Sequence, residues 1–296
     1  MIQPVPFAHR SRTRDGSTVL TLSLIICVLL AIAMITRTDA QTREVPVPSH
    51  TASPVPRFPS KITVTTATVN PPRVIRPKHR ASTLLPVVDQ EDILPKHRLL
   101  ADQVLRALPA ECRDNLRQFF VTYDKDPKNR GLGGESTIIV TGNVPDDEFR
   151  ALVIHECGHV TDLGGLRGSK GGGTTTFVDG NTQIFADDPS VIFYLSSWAD
   201  AATIKHRSIT KDFVSGYAQS DPFEDFAESF AFFALHQNEF KVIAKRSRVL
   251  QAKYDFMDRV LFTGTQEIAE GQSIRKVSKN IPWDVTKLPY VWHAAK

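Results

Sequence analysis

The five residues His155-Glu156-Cys157-Gly158-His159 constrain the fold of this chain more than any other stretch. Positions four apart on a helix lie one above the other, so the two imidazoles share a face and converge on one point. Pro145 with Asp146, Asp147 and Glu148 marks a helix start, where the helix dipole favours acidic groups. Leu163-Gly164-Gly165 marks its stop. Ala151-Leu152-Val153-Ile154 gives the body an apolar character, so the pattern predicts a helix over residues 149–163 buried on one flank. Paired histidines on such a helix suit zinc, which takes nitrogen and oxygen ligands tetrahedrally and leaves a position open for water. Glu156 then stands beside the ion as a base. A bare match also fits a helix whose histidines bond to backbone carbonyls.

A third ligand is offered downstream. Asp221-Pro222 reads as an N-cap followed by proline at the first helical position. Phe226, Ala227, Phe230, Ala231 and Phe233 give that helix an apolar body, and Glu224 and Glu228 share one of its faces. Carboxylates on an apolar helix are costly to bury unless something pairs with them. A metal ion and a ligand histidine would do so, with Glu224 coordinating and Glu228 orienting the His155 ring. Spacing alone leaves two alternatives open: Glu224 as a capping-box residue reaching back to the cap, and Glu228 as the ligand.

Taken together, His155-Glu-Cys-Gly-His-Val-Thr-Asp162 and Tyr217 with Glu224-Asp-Phe-Ala-Glu228-Ser-Phe resemble the catalytic domain of anthrax lethal factor and the Pro-Pro endopeptidases grouped with it. These are zinc peptidases of the gluzincin type. The resemblance covers about residues 98–260 and implies a zincin-like fold. It places the metal ligands on His155, His159 and Glu224, the general base on Glu156, and an oxyanion-supporting tyrosine on Tyr217, seven residues before Glu224. It also settles the choice between Glu224 and Glu228 in favour of Glu224. Asp162 matches an aspartate three residues past the second histidine and, with Glu228, is expected to support the ligands. Cys157 departs from the family, whose members more often carry a bulky apolar residue there.

Composition divides the chain unevenly. Residues 1–98 hold 13 Lys and Arg against 6 Asp and Glu, whereas the remainder holds 23 against 26. The formal charge of +4 therefore belongs to the amino-terminal part, and the rest has no nucleic-acid-binding character. Val19 to Ile35 is an unbroken apolar and small-hydroxyl stretch preceded by His9, Arg10, Arg12 and Arg14. Residues 1–40 read as a signal peptide or an uncleaved membrane anchor, which places everything after Ile35 outside the cytoplasm. Ten of the 19 prolines fall between Pro46 and Pro95, so residues 41–96 read as an extended linker. Residues 97–262 are the expected metallopeptidase domain, and 263–296 a carboxy-terminal extension. Cys112 and Cys157 remain once Cys27 is assigned to the apolar stretch. They can form a disulfide, or Cys157 can be a small buried apolar residue.

Within the domain, helices are expected over His97–Leu108, Cys112–Phe119, Ser190–Ala202, Ile209–Ser215 and Glu239–Leu261, and a strand over Phe120–Tyr123. Glu135–Thr141 is β-rich and directly precedes the motif helix. It is either a plain sheet strand or an edge strand; the resemblance implies an edge strand that binds substrate backbone. Gly164–Gly173 reads as a mobile loop, and Asp179, Asp187 and Asp188 as turn residues. The expected class is α+β, mostly helical with a small sheet. The expected activity is zinc-dependent peptide hydrolysis on a protein or peptide substrate, with membrane contact only through the amino-terminal stretch. A binding module with a non-catalytic zinc site, or a zinc hydrolase acting on cell-wall peptides, is the alternative.

Overall fold

The computed structural model describes residues 83–127, 129–272 and 281–293. The apolar stretch 19–35 and most of the proline-rich segment lie outside the described residues. Among those described, no helix is long and apolar enough to cross a membrane.

The architecture is α+β. Helix α1 (Pro95–Ala107) opens with proline at its first position, and a short α2 (Ala110–Asn115) follows. Strand β1 (Gln118–Thr122) runs parallel to β3 (Thr137–Thr141), and β2 (Gly131–Gly133) pairs antiparallel to β3, giving the order β1-β3-β2. Phe119 stands opposite Ile138 and Val121 opposite Val140, and Phe119, Ile138 and Val140 are buried. Helix α3 (Asp146–Val160) packs on this sheet and on α1. Glu135–Thr141 is therefore the region of the central strand, paired on both sides. The sheet's edges are β1 and Gly131–Gly133, and the latter has little strand propensity of its own.

A glycine-bearing loop leads into the hairpin β4 (Thr174–Asp179) and β5 (Thr182–Phe185), which the sequence reading did not anticipate. Asp187 accepts from the Ser169 backbone and hydroxyl at 2.9 and 2.7 Å, and Asp188 accepts from Ser190 N at 2.8 Å. These aspartates serve as loop ties. Helix α4 (Ser190–Ser197) ends earlier than expected, and only Thr210–Asp212 of the next predicted helix is helical, as one 3-10 turn.

The long helix α5 (Pro222–Ala244) is capped by Asp221, whose side chain accepts from Phe223 N and Glu224 N at 2.9 and 2.8 Å. It crosses α3 closely. A methyl group built on Gly158 would come within 2.8 Å of the Ala227 Cα, so glycine here permits the approach. Ser247 caps a separate helix α6 (Arg248–Phe256), which divides the predicted 239–261 helix. Lys253 of α6 is fully buried, donating to Asp225 at 2.6 and 2.9 Å and to the Asp212 carbonyl at 3.0 Å. Trp198 Nε1 completes the Asp225 shell at 2.9 Å.

The carboxy-terminal segment is part of the domain rather than an extension. Strands β6 (Ala269–Gly271) and β7 (Tyr290–Trp292) pair antiparallel, and the 3-10 turn Val285–Lys287 packs against α3 and α5. At the other end Val88 and Ile93 are in the core, so the folded body begins before residue 97. Both boundaries were masked in sequence by local polarity and proline, while the packing partners lie far along the chain. The Cys112–Cys157 disulfide joins α2 to α3 across a separation of 45 residues. Closing such a loop removes roughly 4 kcal/mol of unfolded-state entropy.

Two stability predictions follow from the buried polar groups. Lys253→Met leaves Asp225 buried without its cation and is expected to lower unfolding free energy by about 3–5 kcal/mol in urea titration. His236, buried where the α5 backbone leaves helical angles, has neither ring nitrogen hydrogen-bonded, and burial depresses its pKa to about 4. The unfolded chain therefore takes that proton first. Its contribution is complete above about pH 6.5 and is lost as pH falls towards 4. His236→Phe should flatten that part of the stability–pH curve; an unchanged slope would assign it to other groups.

Candidate metal centre

His155 and His159 sit on the face of α3 that meets α5, with rings 5.1 Å apart in an edge arrangement. Both are buried. The Oε2 atom of Glu224 lies 3.2 Å from the His155 Nε2 and 3.5 Å from the His159 Nε2. One ligand atom from each of the three residues falls within 4.8 Å of the others, and the group can hold a metal ion. Among the described residues it is the one such group of His, Cys, Asp or Glu side chains. Oε2 is buried and has no hydrogen-bond partner, which leaves a lone pair aimed at the two imidazoles.

The alternatives left by spacing are decided here. Glu224 does not reach back to its helix cap: Oε1 accepts from the Tyr217 hydroxyl at 2.9 Å, and Oε2 faces the histidines. Glu228, one turn further along α5 and fully buried, stands on the far side of the His155 ring. Its Oε1 is 3.0 Å from Nδ1, an ion-pair distance out of line for an aligned hydrogen bond, while Oε2 accepts from Val285 N at 3.0 Å. Val285 thus fixes Glu228, which faces His155, and no local motif announces that contact.

Burial disfavours the Glu224 carboxylate, but the neighbouring His155 and His159 outweigh it and hold the group well below the usual carboxylate range. Desolvation would lower the His155 pKa, yet Glu224 and Glu228 raise it well above its ordinary value. Tyr217 is pushed up by burial and by Glu224, so its phenol keeps its proton and remains a donor. Glu156 is buried beside the histidines, and desolvation raises its pKa against their opposing pull.

Strand β2 lies directly against Glu156. A Cβ on Gly131 would come 2.0 Å from Oε1, and one on Gly133 would come 2.8 Å from Oε2. The proximity of these glycines to the carboxylate appears only in the fold. The adjoining cleft has a volume of about 550 Å³ and is lined in part by Arg130, Leu132, Glu156, Tyr217 and Trp283. Arg130 donates to Glu148 at 2.8 Å and to Thr286 at 3.1 Å, and also pairs with Asp284, tying β2 to the carboxy-terminal segment.

Asp162 takes a different place from the one expected. It is buried in the π-helical turn after α3 (Thr161–Gly165) and accepts from the Tyr194 hydroxyl at 2.6 Å. Burial pushes its pKa up to about 8, against hydrogen bonds from Ser190 and Tyr194. Its contacts secure the end of α3 rather than a ligand ring.

Comparison of the chain with protein-family models, curated proteins and solved structures finds no match.

Gly131→Ala is expected to displace Glu156 or β2 and to lower unfolding free energy by about 1–3 kcal/mol. Gly134→Ala, where an added Cβ meets nothing within 4 Å, is the control. Equal urea midpoints for the two variants would dissociate β2 from Glu156.

Proposed function

We propose that this chain is an exported zinc metallopeptidase, similar to lethal factor and the Pro-Pro endopeptidases. The observation that carries the reading is the unpartnered, buried Glu224 Oε2 at 3.2 and 3.5 Å from two imidazole nitrogens. Ligands held tetrahedrally at about 2.0–2.1 Å from zinc are themselves about 3.3 Å apart, close to the two distances from Glu224 Oε2 to the imidazoles. Two neutral nitrogens and one carboxylate are also the donor set of zinc sites that keep a position for water. The Cys112–Cys157 disulfide supports an oxidising compartment and hence export.

His155, His159 and Glu224 would hold the ion. Zinc supplies Lewis acidity that makes water nucleophilic near neutral pH. Glu156 would accept a proton from the attacking water at a carboxylate oxygen and later deliver it to the leaving amine. Desolvation raises its pKa from the ordinary carboxylate value, which strengthens it as a proton acceptor. Gly131 and Gly133 leave the room that the carboxylate needs. Tyr217, protonated and in the cleft, supports negative charge developing on the scissile carbonyl oxygen. Glu228, held by Val285, keeps the His155 ring facing Glu224.

Glu156→Gln should retain one equivalent of zinc and the wild-type melting temperature while losing about 10²–10⁴-fold in peptide cleavage. The assay is a proteome-derived peptide digest with a chelator control and elemental analysis of the metal. Robust cleavage by the variant would falsify the role of Glu156. A wild-type chain that holds zinc and cleaves nothing is instead a binding module, and one that digests only peptidoglycan is a cell-wall hydrolase.

A further inference from the structure

Trp283 is 72% exposed and lines the cleft beside the metal centre. An exposed apolar residue is by itself ordinary. This one is fixed on both sides to residues of the centre. Gly216 N donates to the Pro282 carbonyl at 2.8 Å, and Tyr217 N donates to the Trp283 carbonyl at 2.7 Å. The next residue, Asp284, pairs with Arg130, and Val285 N bonds Glu228 at 3.0 Å. The indole rests on Gly216, where a Cβ would come within 2.5 Å of Cε3 and 3.0 Å of Cζ3. One end of the ring is thus packed on backbone and the remainder is open to the cleft.

Several polar residues around it are already engaged. Asp284 is paired with Arg130, Asp221 caps α5, and Glu224 and Glu228 face the histidines. Leu132, 57% exposed, and Phe223 line the same cleft. Trp283, Leu132 and Phe223 thus form an apolar patch in a cleft whose remaining lining is largely polar. A ring with two rotatable bonds, immobilised before the ligand arrives, loses little entropy on binding.

We infer that Trp283 is a specificity-determining residue that receives an apolar or aromatic side chain of a peptide near the scissile bond. The assignment rests on the metallopeptidase reading for its substrate class. It makes the carboxy-terminal segment a part of the recognition surface as well as of the fold.

The test uses the full-length zinc-loaded chain and alanine-based peptides carrying Phe, Leu, Lys, Glu or Gly at each position in turn. Wild type is expected to prefer Phe or Leu at one position. Trp283→Ala should reduce kcat/KM for those peptides about tenfold or more, chiefly through KM, and leave the Gly peptides nearly unchanged. Trp283→Phe should restore most of the preference, and zinc content and melting temperature should stay at wild-type values. An unaltered preference in Trp283→Ala overturns the assignment. A second readout is independent of turnover. In the Glu156→Gln background, the Phe peptides should shift tryptophan emission, and Trp283→Phe should abolish the shift, since Trp198 is buried and Trp292, stacked with Arg150, does not line the cleft. If the wild-type chain cleaves nothing, the hydrolase reading fails while this titration still decides: a Trp283-dependent shift upholds apolar recognition, and no shift refutes it.

Discussion

The structure depends on one close helix crossing. His155, Gly158 and His159 on α3 repeat the spacing of Glu224, Ala227 and Glu228 on α5, and the two small residues meet where the helices touch. A larger side chain at Gly158 would collide with the Ala227 backbone and push the helices apart. The imidazoles and carboxylates flank the contact and are brought within ligand distance by it. Two imidazoles and two carboxylates can then sit together largely out of water because each faces a group of opposite character.

The surroundings hold that crossing in place from several directions. The disulfide ties α3 to α2 at Cys157, immediately beside Glu156. On the far side of α5, Asp225 is locked to the buried Lys253, so the residue next to Glu224 in sequence cannot rotate without breaking an ion pair. The carboxy-terminal segment closes the third side: Val285 bonds Glu228, Asp284 pairs with Arg130, and Tyr290 donates to the Asp147 carbonyl at 2.6 Å near the start of α3. Ligand orientation is thus spread over residues separated by more than a hundred positions along the chain.

Local patterns made much of this legible. The proline and acidic start of α3, the Asp221-Pro222 start of α5 and the apolar phenylalanines of α5 were all readable because each reflects interactions within a few residues. Where the reading differs from the structure, the deciding contacts are distant. Gly131–Gly133 forms a strand because β3 pairs with it and Glu156 needs the space, although glycine has no intrinsic preference for strand. Asp162 followed the motif in sequence, but it faces Tyr194 of α4.

The sequence by itself determined which side chains have the chemistry to hold a metal ion, because helical spacing places His155 with His159 and Glu224 with Glu228 on shared faces. Only the tertiary structure decided that the Glu224 carboxylate meets both imidazoles, that β3 lies at the centre of the sheet and that Trp283, Asp284 and Thr286 line the cleft. Those outcomes depend on the angle and depth at which α3 and α5 cross. That geometry is set by volume and hydrogen bonding between remote segments, which no local pattern encodes.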